Sequence, residues 1–253
     1  MKLLIGLLLL VAGIYLAVCA ALFFMQRSLI YYPQPASVGT VADRIKLAAD
    51  GAEVQVSVRP REGTKALIYF GGNAEDVSAS LAPIAAAFPD RSIFLMHYRG
   101  YGGSTGSPTE QALHADAKVL FDLLNVTQKD IVVIGRSLGS GVAVRLAAER
   151  PVSRLVLVTP YDSIESIAAS QFPYLPIRWL LRDKFNSGSV AGQVKVPTLI
   201  VVAERDEQIP RASTDQLFMR FAPGVARFEV VPGTTHNTIS DQPIYDELLK
   251  GTR

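Results

Sequence analysis

Residues 133–150 read VIGRSLGSGVAVRLAAER, in which strand-forming residues lead into a serine between two glycines and an alanine-rich helical pattern follows. The pentapeptide 135–139 fits the pattern G-x-S-x-G, which places its serine at a sharp turn from a strand into a helix. Glycines two positions away on either side let the strand and the helix approach closely, and the serine takes strained backbone angles. We therefore predict that Ser137 is a nucleophile presented to solvent, and not part of an ordinary tight turn.

The sequence on both sides of this turn predicts one sheet. Alternating apolar residues at 44–47 and 53–58 indicate an antiparallel hairpin through Asp50 and Gly51. Further strands are predicted at 66–70, 92–96, 131–135, 154–159, 198–203 and 228–231, and helices at 77–88, 110–124, 139–149, 211–221 and 243–249. Strands that are apolar on both faces and alternate with helices predict an α/β fold, a doubly wound and mostly parallel sheet of about eight strands.

The composition and net charge of the chain exclude several classes of function. The 253 residues are 49% hydrophobic, enough for one sizeable core, and the formal net charge is only +2. Lysine and arginine are spread along the chain, so the sequence has no basic cluster of the kind that binds nucleic acid. Cys19 is the only cysteine, which excludes an intrachain disulfide, and no Cys/His cluster has zinc-like spacing. We expect no nucleic-acid partner, no metal and no cofactor.

Residues 3–25 carry no charge. At a rise of about 1.5 Å per residue they form a helix of roughly 34 Å, enough to cross a hydrocarbon core of about 30 Å. We predict a single-pass membrane anchor over residues 1–27 and a domain over residues 28–253 that folds on its own. A cleaved signal peptide with secretion is the alternative, and a lipoprotein signal ending at Cys19 fits less well. The side of the membrane that the domain occupies stays open.

A serine nucleophile requires a base, and the base requires an orienting carboxylate. Of the three histidines, His97 ends a predicted strand and His114 lies on a predicted helix, whereas His236 follows the last predicted strand in the loop PGTTHNTIS. This position, after the nucleophile and after a further strand, matches the chain order serine, acid, histidine that accompanies this serine turn. His236 is therefore the predicted base.

The orienting carboxylate should end the strand that precedes the histidine loop. The segment LIVVAERDEQIP supplies three carboxylates there, at Glu204, Asp206 and Glu207. The turn after the strand aims Asp206 along the carboxyl edge of the sheet, whereas the two glutamates face water. Asp206 is thus the predicted acid, and Asp183, in the segment before this strand, is the competitor.

Two further segments complete the predicted site. The segment ALIYFGGNAEDV leaves its strand through two glycines, so the amides of Asn73 and Leu138 are the predicted donors to an oxyanion. Residues 161–189 form a short inserted cap whose large apolar side chains roof the serine, with core packing of one crossover helix as the alternative. Those side chains are Phe172, Tyr174, Leu175, Trp179 and Leu180.

From residue 26 onward the chain resembles a known family through the segments YFGGNAEDV, MHYRGYGGSTGSPTE, GRSLGSGVA, TPYDSIESIAASQFPYLPIRWLLRDKFNS, AERDEQIP and GTTHN. They resemble the membrane-anchored serine hydrolases of the α/β-hydrolase superfamily related to the fungal bud-emergence and animal abhydrolase-domain proteins. The resemblance implies the α/β-hydrolase fold, a triad of Ser137, Asp206 and His236, and the two oxyanion donors named above. The chain departs at Gly71, where relatives commonly carry histidine, and backbone donors survive that change.

The predicted function is hydrolysis of a carboxylic ester or thioester through an acyl-enzyme, on lipid or lipidated substrates at a membrane. A peptidase or amidase with the same triad is one alternative. A catalytically silent, membrane-tethered binding module is another, and the intact triad argues against it. Acyl length and head group depend on the shape of the pocket, which the sequence does not reveal.

Overall fold

The computed structural model describes residues 1–36 and 43–251, and within them a single eight-stranded sheet runs in the order β1-β2-β4-β3-β5-β6-β7-β8. The strands are β1 (Asp43–Ala49), β2 (Ala52–Arg59), β3 (Lys65–Phe70), β4 (Ser92–Met96), β5 (Asp130–Arg136), β6 (Arg154–Val158), β7 (Thr198–Arg205) and β8 (Ala226–Thr235). β1 and β2 form the predicted antiparallel hairpin, β2 pairs antiparallel with β4, and the other neighbours pair in parallel. The predicted mostly parallel sheet is confirmed.

Helices connect most of the parallel strands. They are α1 (Lys2–Ile30), α2 (Leu81–Ala87), α3 (Glu110–Asn125), α4 (Leu138–Glu149), α5 (Ile164–Gln171), α6 (Ile177–Leu180), α7 (Gly188–Ala191), α8 (Arg211–Arg220) and α9 (Pro243–Lys250). The single helix predicted over 77–88 divides into a 3-10 turn at Val77–Ser80 and α2. Asp76 caps that turn by accepting a hydrogen bond from the Ser78 amide.

The core lies on both faces of the sheet, and β5 shows why its strands are apolar throughout. Ile131 and Val133 pack on one face with α3 and α4, while Val132 and Ile134 pack on the other face with α2 and α9. Because both faces are buried, the strand has no need for alternating polar residues.

α1 continues past residue 27, the predicted end of the anchor, and ends at Ile30. The helix is long and apolar enough to cross a membrane, with a mean hydropathy of 2.8 in its most apolar window. One stripe of α1 contacts the rest of the protein, since Cys19 and Gln26 are buried, while Phe24 on the opposite face is 82% exposed.

The inserted segment 161–189, which we call the cap, contains two short helices, α5 and α6, and the start of α7, and not one crossover helix. Pro173 and Pro176 cause part of this division. Proline disfavours helical backbone in the residue before it and lacks an N–H for the helix ladder. α5 accordingly ends at Gln171, and α6 begins directly after Pro176.

Candidate active site

Ser137 lies between the end of β5 and the start of α4. Its φ of 49° and ψ of −118° form the strained combination expected at this turn. A Cβ atom on Gly135 would lie 2.4 Å from the Gly139 carbonyl oxygen, and one on Gly139 would lie 2.1 Å from the Phe70 carbonyl oxygen. Both positions therefore require glycine, because α4 lies against β5 at Gly135 and against the end of β3 at Gly139.

The side chains of His236 and Asp206 meet Ser137 at the carboxyl edge of the sheet. His236 Nε2 lies 3.0 Å from Ser137 Oγ. His236 Nδ1 lies 2.9 Å from both carboxylate oxygens of Asp206. The imidazole and the carboxylate are 4% and 5% exposed, so water competes little for these contacts. The structure thus brings together the serine, base and acid that the sequence analysis selected.

Backbone contacts hold the acid and the base in position. Asp206 Oδ1 accepts hydrogen bonds from two N–H groups of its own turn, at 2.9 and 2.8 Å. The Glu207 carboxylate accepts from the His236 N–H at 3.2 Å, and that of Glu204 accepts from the Gly233 N–H at 2.8 Å. Both glutamates are exposed, as expected. Their contacts with the histidine loop have no signal in the sequence.

The competing residues lie elsewhere. Asp183 accepts hydrogen bonds from Arg27 Nε at 2.9 Å and from the Tyr31 hydroxyl at 3.2 Å. His97 is buried, with its Nε2 2.8 Å from a serine hydroxyl of β2. His114 Nε2 lies 3.5 Å from a carboxylate of its own helix. The contacts of these residues are structural, and none of these contacts is with Ser137.

Asn73 and Leu138, the predicted oxyanion donors, line one cavity together with Ser137. The loop that carries Asn73 lies against the serine turn, since a Cβ atom on Gly72 would be 3.8 Å from Ser137 Cβ. Leu138 is the first residue of α4, where backbone N–H groups have no partner in the preceding turn. That these two amides bind an oxyanion stays a prediction.

The Asn73 peptide is fixed from two directions. Its carbonyl accepts hydrogen bonds from the Tyr101 hydroxyl at 2.7 Å and from the Tyr32 N–H at 3.1 Å. Its side-chain amide donates to the Ile30 carbonyl at 3.2 Å. The end of α1 therefore contacts the loop that borders the nucleophile.

Glu75 braces the same loop, and sequence reasoning missed it. Its carboxylate accepts hydrogen bonds from the Gly72 N–H at 2.8 Å, the Tyr69 hydroxyl at 2.8 Å and the Ser80 hydroxyl at 2.7 Å. Arg136 Nη1 lies 3.7 Å from it. Burial, the main cause, and the charge of Glu75, the second, raise the pKa of Tyr69 well above its usual value. The Tyr69 hydroxyl therefore keeps its proton and remains a donor. The only signal was an acidic residue three positions after Gly72.

Gly71, where the resemblance implies histidine, has little space for a side chain. A Cβ atom at this position would lie 2.5 Å from Val77 Cγ1, so histidine does not fit here without movement. The Gly71 carbonyl instead accepts a hydrogen bond from the buried Tyr98 hydroxyl at 2.8 Å. Tyr98 and Glu75 thus brace this glycine loop.

An apolar cavity of about 360 Å³ adjoins Ser137. This volume is at the lower end of the range for ligand pockets, roughly 300–1,000 Å³. Of the five side chains predicted to roof the serine, three line the cavity, namely Phe172, Leu175 and Leu180. The prediction is wrong for Tyr174 and Trp179, which project to the surface with exposures of 89% and 88%.

α1 supplies another wall of the cavity, through Leu22, Gln26, Leu29 and Ile30. It is held to the cap by the Gln26 side chain, whose Nε2 donates to the Leu180 carbonyl at 3.0 Å and whose Oε1 accepts from the Arg182 N–H at 2.6 Å. The ion pair of Arg27 with Asp183 lies next to this contact. α1 is therefore part of the pocket.

The sheet order, the serine turn and the serine–histidine–aspartate geometry define an α/β hydrolase. A family model described as alpha/beta hydrolase fold matches residues 65–196. The chain belongs to this family. The solved structure of the Pyrococcus furiosus esterase Pf2001 has the same fold, with a TM-score of 0.67 and 18% identity over 87% of this chain and 96% of that one.

Several relatives are similar in sequence to this chain over most of its length. An uncharacterized protein of Mycobacterium tuberculosis is 34% identical, over 90% of this chain and 86% of its own length. Protein bem46 of Schizosaccharomyces pombe is 30% identical, over 85% of this chain and 77% of its own length. Lysophosphatidylserine lipase ABHD12 of Xenopus tropicalis is 32% identical over 73% of this chain, which spans 56% of that longer protein. The predicted relationship to bud-emergence and abhydrolase-domain proteins is confirmed.

Proposed function

We propose that the protein is a serine hydrolase that cleaves a carboxylic ester or thioester through an acyl-enzyme. One observation carries the proposal: Ser137 Oγ, 3.0 Å from His236 Nε2, adjoins an apolar cavity, and Asp206 orients the imidazole from its other side. A serine hydroxyl is a weak nucleophile near neutral pH, and a base at hydrogen-bond distance removes that limitation.

In the first half of the reaction, Ser137 Oγ attacks the acyl carbonyl carbon while His236 Nε2 takes the hydroxyl proton. Asp206 accepts a hydrogen bond from His236 Nδ1–H and stabilises the imidazolium. The C–O or C–S bond then breaks, the leaving alcohol or thiol takes the proton from His236, and the acyl group stays on Ser137. Water, deprotonated by His236, releases a carboxylic acid and restores the serine hydroxyl.

The negative charge on the tetrahedral oxygen requires donors that are in place beforehand. The N–H groups of Asn73 and Leu138 are our candidates. The hydrogen bonds to the Asn73 carbonyl and the Glu75 brace keep this loop from moving as charge develops. Loss of one such donor costs about 10²–10³ in kcat.

The lining of the cavity favours an acyl chain over a peptide. Leucine, isoleucine and phenylalanine dominate its walls, and each buried methylene contributes about 0.8 kcal/mol. One relative bears the name lysophosphatidylserine lipase, and a solved structure of the same fold is an esterase. We further propose that α1 anchors the enzyme in a membrane, where lipid or lipidated substrates reside.

A fluorophosphonate probe tests the nucleophile. We expect covalent labelling of the full chain, loss of labelling in Ser137→Ala, and full labelling in the control Ser153→Ala, whose exposed serine precedes β6. Thermal unfolding of Ser137→Ala should match that of the unchanged protein, and that of Ser153→Ala should change little, because its hydroxyl loses one exposed hydrogen bond to Asp130. Labelling that persists in Ser137→Ala would assign the nucleophile to another residue.

A substrate panel tests the reaction class. We expect turnover of a 4-nitrophenyl butanoate ester and of a butanoyl thioester, and at least about 10²-fold slower cleavage of the matching 4-nitroanilide, because its anilide nitrogen is the poorer leaving group. Preference for the anilide would make the protein an amidase. Absence of both labelling and turnover would identify a catalytically silent binding module.

A further inference from the structure

The cap lies beside the apolar part of α1 and not only beside its end. The Tyr15 hydroxyl of α1 donates a hydrogen bond to the Tyr174 carbonyl of the cap at 2.9 Å. Eleven residues further along α1, Gln26 bonds the cap backbone at Leu180 and Arg182. Eleven residues correspond to about 16 Å of helix. The cap therefore follows α1 over more than half the thickness of a hydrocarbon core.

The depth of this contact follows from the charges that flank the apolar run. α1 carries Lys2 at one end and Arg27 near the other, and no charged residue lies between them. A hydrocarbon layer of about 30 Å that begins after Lys2 extends along about 20 residues, to Leu22. Tyr15 then lies about 10 Å inside that layer. Tyr174, bonded to it, lies at the same depth.

The surface of the cap has the chemistry that such a position requires. Residues 171–177 (QFPYLPI) contain no charge, and the Tyr174 and Trp179 side chains are 89% and 88% exposed. Tryptophan and tyrosine are enriched where a membrane meets water. Arg178 is largely exposed beside Trp179, and the Arg182 guanidinium lies 5.7 Å from the Phe23 ring of α1. These arginines supply positive charge at the level of the lipid phosphates.

The same surface borders the cavity. Leu29 of α1 and Phe172 of the cap both line the cavity and remain 54% and 53% exposed, so the mouth lies where the cap meets α1. We infer that residues 172–181 enter the membrane beside α1, with Tyr174 in the hydrocarbon layer and Trp179 near the headgroups, so that the acyl chain of the substrate passes from the leaflet directly into the cavity. The acyl route rests on the proposed function, whereas the embedding does not.

Trp179 is the only tryptophan of the chain, so its fluorescence reports the position of the cap. The full chain is reconstituted in phosphatidylcholine vesicles that contain phosphatidylcholine brominated either near the headgroup or near the bilayer centre. We expect the headgroup-proximal bromines to lower Trp179 emission at least about two-fold, and aqueous iodide to have little effect. Emission quenched by iodide and not by either brominated lipid would overturn the embedding.

The matched control moves the tryptophan. The double variant Trp179→Phe, Val126→Trp places it at the end of α3, at a position 73% exposed on the sheet edge opposite Ser137. There we expect quenching by iodide and none by brominated lipid. Equal lipid quenching at both positions would show non-specific adsorption of the domain and would also overturn the inference. Ser137→Ala should give the unchanged pattern, so failure of the proposed hydrolysis is recognised separately.

Turnover tests the route into the cavity. Tyr174→Asp puts a charge on a side chain that neither lines the cavity nor contacts the triad. We expect hydrolysis of 4-nitrophenyl palmitate held in phosphatidylcholine vesicles to fall about tenfold, since a charge in the hydrocarbon layer opposes embedding. Hydrolysis of dissolved 4-nitrophenyl acetate should be unchanged. Equal loss on both esters, or no loss on either, would overturn the lateral route.

Discussion

Leu22 offers a way to perturb the proposed acyl pocket without touching the side chains of the proposed triad. It lines the cavity, but it belongs to α1, which carries none of the proposed triad. Leu22→Trp adds an indole to a space of about 360 Å³ and displaces the distal part of an acyl chain. If four methylenes lose their burial at about 0.8 kcal/mol each, the loss is about 3 kcal/mol, or about 200-fold in kcat/KM.

The assay compares kcat/KM for 4-nitrophenyl octanoate and 4-nitrophenyl acetate in one detergent. We expect the octanoate-to-acetate ratio of Leu22→Trp to fall by about 10². The control Leu16→Trp lies on the same helix at a position 66% exposed, and its ratio should equal that of the unchanged protein. An unchanged ratio in Leu22→Trp would mean that the acyl chain does not lie against α1. An equal loss on both esters would mean that the substitution disturbs the catalytic geometry.

Three further predictions concern separate parts of the molecule. Asp206→Asn should lower kcat by about 10⁴, because the amide leaves His236 in the wrong tautomer. Asp183→Asn should lower kcat far less. Equal losses in the two variants would refute the assignment of Asp206 as the acid of the triad. Gly139→Ala should prevent folding in thermal-unfolding assays, because the Cβ meets a carbonyl oxygen at 2.1 Å, while Gly13→Ala, with open space around its Cβ, should not lower the melting temperature. Burial, and next the charge of a nearby arginine, lower the pKa of His97 to about 4 from its usual 6.5. Between these two pH values the unfolded chain therefore binds a proton that the folded chain does not. The free energy of unfolding, measured by urea titration, should fall by about 3 kcal/mol as the pH drops from about 6.5 to 4. A His97→Gln variant whose free energy of unfolding depends on pH in the same way would contradict this.

The sheet and the candidate triad were predictable because local pattern determines them. A strand buried on both faces is apolar throughout, and the glycines at 135 and 139 mark the turn at which α4 lies directly against strands of the sheet. With only three histidines, chain order selected His236. The acid was expected at the end of the strand that precedes the histidine loop, which identified Asp206. Each step used sequence neighbours or the order of strands, which the fold preserves.

The contacts of α1 and the cap were not predictable in the same way. An amphipathic pattern identifies the buried face of a helix, but α1 is apolar on all sides, so no periodicity marks the stripe that faces the cap. Gln26 was the one polar signal there, and its partners are backbone groups 154 and 156 residues away. In the cap, Pro173 and Pro176 interrupt any helical period, so the outward direction of Trp179 had no pattern from which to be read.

The contacts of α1 join the candidate membrane span to the candidate active site. The carbonyl of Ile30, at the end of α1, accepts a hydrogen bond from the Asn73 side-chain amide, so the proposed anchor helix also positions a proposed oxyanion loop. Arg27 pairs with Asp183, whose side chain is only 5% exposed. Removing one partner of a buried pair costs about 3–5 kcal/mol, and less here because Arg27 is 37% exposed. A chain that begins at Ser28 would therefore lack a wall of the apolar cavity and leave a buried carboxylate without its cation. The independence of residues 28–253, expected from the sequence, stays a prediction that these contacts oppose.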